Sequence, residues 1–201
     1  MEAPKSKEEV LKIAKALSRD SEKQHPHLQG HSDAVERYAV KIARALKLPK
    51  DFIFWLSCAC YLHDVGNMGV PEGIMNKPGS LDYLEWNVIR NHPLLSVAVI
   101  TSSIAGSSDI HDIVIPIVMH HHERFDGTGY PSKLKGKNIP IGARILAAAE
   151  LYDALTNIRP YRSAFSREAA LKHLQNEKGK MLDPEISDIF INILNSQPTS
   201  S

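Results

Sequence analysis

An apolar segment over residues 52–62 ends directly at His63 and Asp64, and this junction constrains the fold more than any other feature of the chain. A segment that is apolar on every side is typical of a helix buried at the centre of a protein. Gly66 suits a left-handed residue at the end of that helix. Taken alone, His63 and Asp64 can be a packed histidine beside a capping carboxylate.

Apolar residues recur at helical spacing through most of the remaining sequence, so we expect an all-α fold. Ser80, Ser166 and Asp183 are the expected helix caps, and Pro116 should kink its helix or restart it. We expect an amphipathic helix in residues 1–20, the main domain in residues 21–195 and a disordered tail in residues 196–201.

Charge and cysteine content exclude several classes of function. The net charge of +1 gives no global field for binding a DNA or RNA polymer. No apolar run reaches the length of a membrane span, so we expect no membrane insertion. Cys58 and Cys60 stand two residues apart on an expected helix, where their side chains diverge. We therefore expect reduced thiols and a cytoplasmic location.

Histidines are concentrated in one part of the chain, with nine of ten between His25 and His122. Several buried imidazoles are most easily satisfied together by metal ions. An aspartate beside a histidine can bridge two ions while the histidine binds one of them. His120 leaves the register of the later histidines open, and we favour His121 and His122 because they directly precede Glu123.

Two further sets of charged residues complete the candidate site. Glu150 and Asp153 lie three apart on one expected helix, where a carboxylate among alanines and leucines favours a ligand. The alternative is an ion pair of the carboxylate with Arg144 or Arg159. Arg159 and Arg162 can clamp a phosphate, because guanidinium groups bind its oxygens in pairs. For Arg159 the alternative is to balance the charge of a helix end.

These motifs, in this order, resemble the HD-GYP family, a branch of the HD superfamily of metal-dependent phosphohydrolases. The resemblance spans about residues 30–193. It rests on His31 in Gly-His-Ser, His63-Asp64-Val-Gly, Lys77-Pro78-Gly79, Asn91-His92-Pro93, His121-His122-Glu-Arg-Phe-Asp-Gly-Thr-Gly-Tyr-Pro, Asp153-Ala-Leu-Thr and Arg159-Pro-Tyr-Arg162.

The resemblance implies a helical bundle with a Gly-Tyr-Pro loop, additional C-terminal helices and two divalent metal ions, iron first and manganese second. It also implies hydrolysis of the bacterial messenger cyclic di-GMP, or of a related cyclic dinucleotide, by a hydroxide that the two ions activate. Signalling domains are the expected protein partners.

The resemblance also implies roles for individual residues, with Asp64 bridging the two ions. The implied metal ligands are His31, His63, Asp64, His92, His121, His122 and Glu150. The implied catalytic residues are Asp64, Asn67 and Asp153, and those implied to bind substrate are Arg159, Arg162 and Tyr130.

Three positions depart from the family pattern. Asn67 stands where the family has a lysine that contacts the phosphate or assists the leaving oxygen, and asparagine cannot act as a general acid. Glu150 replaces the usual aspartate. His27 stands where some members have a glutamate that binds a third ion. It would share a helix face with His31 only in a continuous helix, which Pro26 disfavours, so we expect two ions. Asn67 also supports an alternative function, that of a regulatory module that binds metal without efficient hydrolysis. A phosphohydrolase acting on another nucleotide agrees less well with the loop and the paired arginines.

Overall fold

α-Helices form nearly all of the regular structure in the described part of the chain, which comprises residues 6–25, 28–77, 79–104, 107–158 and 163–196 of a computed structural model. No β-strand occurs within these ranges, and the expected all-α fold is confirmed. In chain order the helices are α1 (Lys7–Gln24), α2 (His31–Ala45), α3 (Lys50–Leu62), α4 (Glu72–Met75), α5 (Tyr83–Ile89), α6 (His92–Ser103), α7 (Ile115–His120), α8 (Ile141–Thr156), α9 (Arg167–Asn176) and α10 (Pro184–Asn195).

The central helix is α3, which packs against α1, α2 and α7. Every side chain from Cys58 to Leu62 is buried, as the apolar segment predicted. Cys58 and Cys60 are both free thiols, so the expectation that they do not bridge is confirmed. Burial raises the pKa of the Cys58 thiol to about 12, which keeps it protonated and unreactive near neutral pH.

The length of α3 also bears on the expected absence of a membrane span. Its 13 residues correspond to about 20 Å, whereas a bilayer core needs about 30 Å. Across the described ranges, no helix combines the length and apolar character needed to cross a bilayer.

The first helix is longer than predicted. It continues to Gln24, past the expected boundary at residue 20. Ser6 and Glu9 form a capping box at its start, and Val10 and Ala14 are buried in the hydrophobic core that contains α3. The helix is thus part of the same core as the residues that follow it. Of the predicted tail, residues 197–201 lie outside the described residues.

Two of the three predicted helix caps are confirmed. The Ser166 hydroxyl accepts a hydrogen bond from the Ala169 amide at 3.2 Å, and Asp183 caps α10 from its side chain. The prediction that Ser80 caps a helix was wrong. Asp82 caps α5 instead, because its carboxylate accepts hydrogen bonds from two amides of the first turn.

Pro116 lies where one helical segment gives way to another. A π-helical turn spans Ile110–Val114, and α7 then begins at Ile115 with the proline in its first turn. Proline has no amide hydrogen to donate, and the first turn of a helix tolerates that loss. A new α-helix therefore begins next to Pro116, and a restart was one of the two predicted outcomes.

Candidate metal centre

Asp64 lies at the meeting point of two groups of potential metal donors. The first group joins it to two histidines and the second to three: His31 and His63 in the first, and His92, His121 and His122 in the second. Within each group the donor atoms lie within 4.8 Å of one another. Six predicted ligands from four separate stretches of the chain therefore come together.

Helix ends supply these side chains. His63 and Asp64 directly follow α3, His31 and His92 are the first residues of α2 and α6, and His121 and His122 directly follow α7. The last residue of α7 is His120, whose Nδ1 lies 3.6 Å from Oε1 of Glu123 and outside both donor groups. The histidine pair thus has the register that the sequence favoured.

Three imidazoles are oriented by the helices that precede them. Nδ1 of His63 hydrogen-bonds to the Cys60 carbonyl at 2.8 Å, His92 contacts the Ile89 carbonyl in the same way at 2.8 Å, and His121 contacts the Val118 carbonyl at 2.7 Å. In each case the acceptor is the residue three positions earlier. A carbonyl only accepts hydrogen bonds, so Nδ1 carries the proton and Nε2 keeps its lone pair for a metal.

His31 is oriented by a side chain instead of the backbone. Its Nδ1 lies 2.6 Å from Oδ2 of Asp153, a buried carboxylate whose other oxygen accepts a hydrogen bond from Asn157 at 2.7 Å. Asp153 was predicted as a catalytic residue. Its carboxylate holds Nδ1 of His31 and leaves Nε2 for a metal, which suits a positioning role.

We expect Asp153→Asn to lower metal affinity about 10- to 100-fold, because the amide loses the charge that fixes the orientation and basicity of His31. Equilibrium dialysis against Mn²⁺ measures this loss. The melting temperature of the metal-free protein serves as a control for general damage. An unchanged affinity would show that His31 does not depend on the charge of its partner.

The spacing of the Nε2 atoms fits a bound cation. Nε2 of His92 lies 3.3 Å from Nε2 of His121, 3.2 Å from Nε2 of His122 and 3.2 Å from Oδ1 of Asp64. Ligands about 2.1 Å from one ion lie roughly 3.0–3.4 Å from each other. Nε2 of His63 is fully buried and has no hydrogen-bond partner among the described residues. The donor chemistry and this unsatisfied atom both fit a divalent metal.

Burial keeps three of these imidazoles neutral. It lowers the pKa of His63 and, with the help of the neighbouring His92, lowers the pKa of His122 to about 3. Burial followed by repulsion from His122 holds the pKa of His121 well below its usual range. Near neutral pH these rings are therefore neutral, and no second proton has to leave before an ion binds.

For Asp64 and His31, neighbouring groups shift the pKa in the direction opposite to the effect of burial. Burial alone would raise the pKa of Asp64, but His63 and His92 outweigh it and hold that pKa well below its usual range. Burial alone would lower the pKa of His31, but the hydrogen bond to Asp153 and the charge of Asp64 reverse the direction. An ionised Asp64 at the centre of the site favours the binding of cations.

Gly66 allows α6 to approach the end of α3. A Cβ atom at this position would lie 2.1 Å from the His92 carbonyl oxygen and 2.5 Å from the Ser96 nitrogen. The Ser96 hydroxyl donates to the His63 carbonyl and accepts from the Gly66 amide, both at 2.8 Å. The predicted left-handed conformation was wrong, since Gly66 is not among the described glycines with positive φ. The glycine is needed for contact between the two ligand-bearing segments.

The Gly-Tyr-Pro loop supports the histidine pair. The Tyr130 ring stacks on His122 with centroids 5.0 Å apart, and its amide donates to the His122 carbonyl at 3.3 Å. Gly129 passes so close to the preceding turn that a Cβ atom would lie 2.2 Å from the Arg124 nitrogen. The buried Glu123 carboxylate accepts two amide hydrogen bonds from the far side of the loop. The loop is therefore fixed against the second donor group.

Glu150, in the middle of α8, is half-buried and lies outside both donor groups. It faces the same cavity as Asp64 and His122. The alternative partner Arg144 forms its ion pair with Asp183. The structure therefore places Glu150 beside the candidate centre without assigning it to either group.

A cavity of about 680 Å³ opens beside the second donor group. Asn67 and Lys77 both line it, and the Lys77 ammonium contacts both oxygens of Glu85 at 2.7 Å. A cavity of this size is within the usual range for small-molecule sites. Arg159 and Arg162, predicted to bind phosphate, lie outside the described residues, as does His27.

One wall of this cavity was not predicted from the sequence. Trp86, Ile89 and His92 all line it and are spaced three residues apart. That spacing on consecutive helical segments was the available signal. The sequence predicted His92 as a ligand, but it gave no role to Trp86 or Ile89.

Known proteins share this sequence pattern. Residues 15–186 match the sequence model of a protein family described as HD domain. The cyclic di-GMP phosphodiesterase response regulator RpfG of Xanthomonas campestris is 35% identical over 75% of this chain and 39% of its own length. A cyclic di-GMP phosphodiesterase of Thermotoga maritima is 33% identical over 92% of this chain and 49% of its own. The 3′3′-cGAMP-specific phosphodiesterase 3 of Vibrio cholerae is 34% identical over 92% of this chain and 39% of its own length.

The chain thus spans less than half the length of these curated relatives. Solved structures also resemble it. An HDG"Y"P protein of Bdellovibrio bacteriovorus, Bd1817, has a TM-score of 0.64 and 22% identity, covering 83% of this chain and 52% of its own, which indicates a shared fold. The cyclic GMP-AMP specific phosphodiesterase V-cGAP3 of V. cholerae has a TM-score of 0.57 and 28% identity. The match covers 92% of this chain and 41% of the V-cGAP3 chain.

Proposed function

Because the chain belongs to the HD-GYP branch of the HD domain family, we propose that it hydrolyses a phosphodiester bond of a cyclic dinucleotide, with cyclic di-GMP as the first candidate. The observation that carries the proposal is the position of Asp64. It is shared by two groups of imidazoles and lines a cavity of about 680 Å³. The names of the relatives support the substrate class, since they are divided between cyclic di-GMP and cGAMP.

We propose two divalent ions, with iron as the first candidate and manganese as the second, because imidazole suits iron and carboxylate oxygen suits manganese. His31 and His63 would hold one ion, while His92, His121 and His122 would hold the other. Asp64 would bridge them. Bound there, the ions would supply Lewis-acid stabilisation of the charge that develops on the phosphate and would activate a water molecule.

In this proposal the remaining site residues either support the metal ligands or bind the substrate. Glu150 completes the ligand set from α8, and Asp153 holds the His31 ring in place. Tyr130 supports His122 from the loop side. Arg159 and Arg162 neutralise the phosphate oxygens through paired hydrogen bonds, as the sequence predicted.

The direct test is product analysis. Protein loaded with iron or manganese under reducing conditions should convert cyclic di-GMP to the linear dinucleotide, which chromatography separates from the substrate. 3′3′-cGAMP serves as the alternative substrate in the same assay. Absence of turnover of both compounds by protein with a full metal complement would exclude the proposed activity.

Asn67 lies in the cavity wall, and its replacement tests the regulatory alternative. We expect Asn67→Lys to raise the rate of hydrolysis by up to about 10²-fold, because a lysine there could contact the phosphate or protonate the leaving oxygen. Asn76→Lys is a matched control, since it adds the same charge elsewhere in the same cavity wall. Initial rates at saturating substrate compare the three proteins. Equal rates for all three would show that the missing lysine does not limit the enzyme.

The setting of the activity is also proposed. We place the HD-GYP domain in residues 21–195, expect signalling domains as partners and expect a bacterial cytoplasm as the location. With a net charge of +1, the protein has no global attraction for polymeric nucleic acid, so a small cyclic dinucleotide remains the expected ligand.

A further inference from the structure

Trp86 is an unusually exposed tryptophan in the wall of the candidate site. Its side chain is 47% exposed, whereas Trp55 in the core is 2% exposed. Trp86 nevertheless lines the same cavity as Asp64 and His92. An indole that gains little from the protein core and borders a binding cavity is positioned to contact a ligand.

A row of planar groups connects Trp86 to the metal donors. The Arg90 guanidinium lies over the Trp86 ring at 5.9 Å from its centroid and over the Tyr130 ring at 5.6 Å. Tyr130 in turn stacks on His122, with an angle of 26° between the rings. Arg90 covers one face of the indole and anchors it through a cation–π contact. The exposed remainder of the ring is available to a ligand in the cavity.

The helix that carries Trp86 is held in place at its start. Asp82 and Glu85 form a capping box, and Glu85 also binds Lys77, which lies in the loop between α4 and α5 and lines the same cavity. These contacts fix α5 and the loop relative to each other. The indole is therefore presented from a capped helix that is tied to its surroundings, and its position is set before a ligand arrives.

The lining of this part of the cavity suits a flat, weakly polar group. Apart from the metal donors, most of the side chains that line the cavity are apolar: Leu28, Ile74, Met75, Leu81, Trp86 and Ile89. A phosphate would lose its hydration against these groups, whereas a purine base would stack on indole and bury its faces against aliphatic carbon.

We propose that Trp86 is the stacking platform for one purine base of the cyclic dinucleotide, and that it determines affinity for purine-containing substrates. This inference rests on the proposed function, because the metal donors that hold the phosphate and the indole that holds the base border a single cavity. Trp86 binds substrate here without taking part in the reaction at phosphorus.

Steady-state kinetics of Trp86→Ala tests the role. Stacking of a base on an aromatic side chain corresponds to about 5- to 150-fold in affinity, so KM for cyclic di-GMP should rise within that range. The value of kcat should stay within about 3-fold, and metal content should not change. Leu84→Ala is the matched control, since Leu84 is 72% exposed on the same helix and lies outside the cavity lining.

Fluorescence provides a second readout that does not depend on turnover. A slowly hydrolysed phosphorothioate analogue of cyclic di-GMP should quench the emission of the wild-type protein. Trp86→Phe retains a ring for stacking and leaves Trp55 as the fluorophore. We expect this variant to bind the analogue while losing the quenching, which assigns the effect to Trp86.

The outcomes separate the two proposals. If the wild-type protein hydrolyses cyclic di-GMP and Trp86→Ala has an unchanged KM, the stacking role is wrong and the proposed function stands. If metal-loaded wild-type protein hydrolyses methyl 4-nitrophenyl phosphate, which has no purine, but neither binds nor cleaves cyclic dinucleotides, the substrate class is wrong and the stacking role fails with it.

Discussion

Replacing Asp64 by asparagine should reduce hydrolysis of cyclic di-GMP on the order of 10³-fold or more, since metal ions supply several kcal/mol of transition-state stabilisation. Asp64 is the only residue present in both donor groups found among the described residues. An amide has no negative charge and offers one oxygen in place of two, so it cannot balance two dications. Elemental analysis should show that metal content falls together with activity.

Asp188→Asn is the matched control for the loss of Asp64. Asp188 carries the same functional group on α10, where its side chain is 58% exposed and pairs with Lys178. We expect this variant to retain its metal and its rate. Full metal occupancy in Asp64→Asn would contradict the bridging role, and full activity would contradict the proposed site.

Gly66→Ala should destabilise the protein and weaken its candidate metal centre. The added Cβ would overlap the His92 carbonyl oxygen at 2.1 Å and the Ser96 nitrogen at 2.5 Å, and backbone atoms cannot rotate away. Overpacking of this kind costs about 3 kcal/mol, which corresponds to a fall of roughly 6–12 °C in melting temperature for a protein of this size. Relief of the overlap requires α6 to move away from His63, so metal affinity should fall as well.

Gly73→Ala is the corresponding control. Gly73 lies in the short helix α4, and a Cβ atom there would meet nothing within 4 Å. Alanine is the better helix former by roughly 0.5–1 kcal/mol, so stability should be unchanged or slightly higher. Differential scanning calorimetry compares both variants with the wild-type protein. A melting temperature of Gly66→Ala equal to that of Gly73→Ala would show that α3 and α6 do not need this close contact.

Local sequence signals predicted the all-α fold, two helix starts and the register of the histidine pair. The apolar segment of residues 52–62 indicated a buried helix, and that helix delivers His63 and Asp64 to the site. Ser166 and Asp183 identified two helix starts because capping depends on the next three residues alone. The register of His121 and His122 followed from their position beside Glu123, which anchors the loop that comes next.

Contacts between distant segments could not be predicted from these signals. Gly66 looked like a helix terminator because its sequence neighbours suit one, whereas its actual constraint comes from His92 and Ser96 in another helix. The resemblance implied a catalytic role for Asp153, and only the fold shows that this carboxylate holds His31. Trp86 was overlooked because its exposure depends on which side of α5 remains uncovered.

The residues that orient the four imidazoles differ in how well they should tolerate substitution. His63, His92 and His121 rely on main-chain oxygens at Cys60, Ile89 and Val118, which any amino acid would provide. Substitutions at those three positions can therefore accumulate without disturbing the rings, as long as the helices persist. The orientation of His31 instead depends on one side chain, that of Asp153, 122 positions away, so substitution of that residue would release the ring.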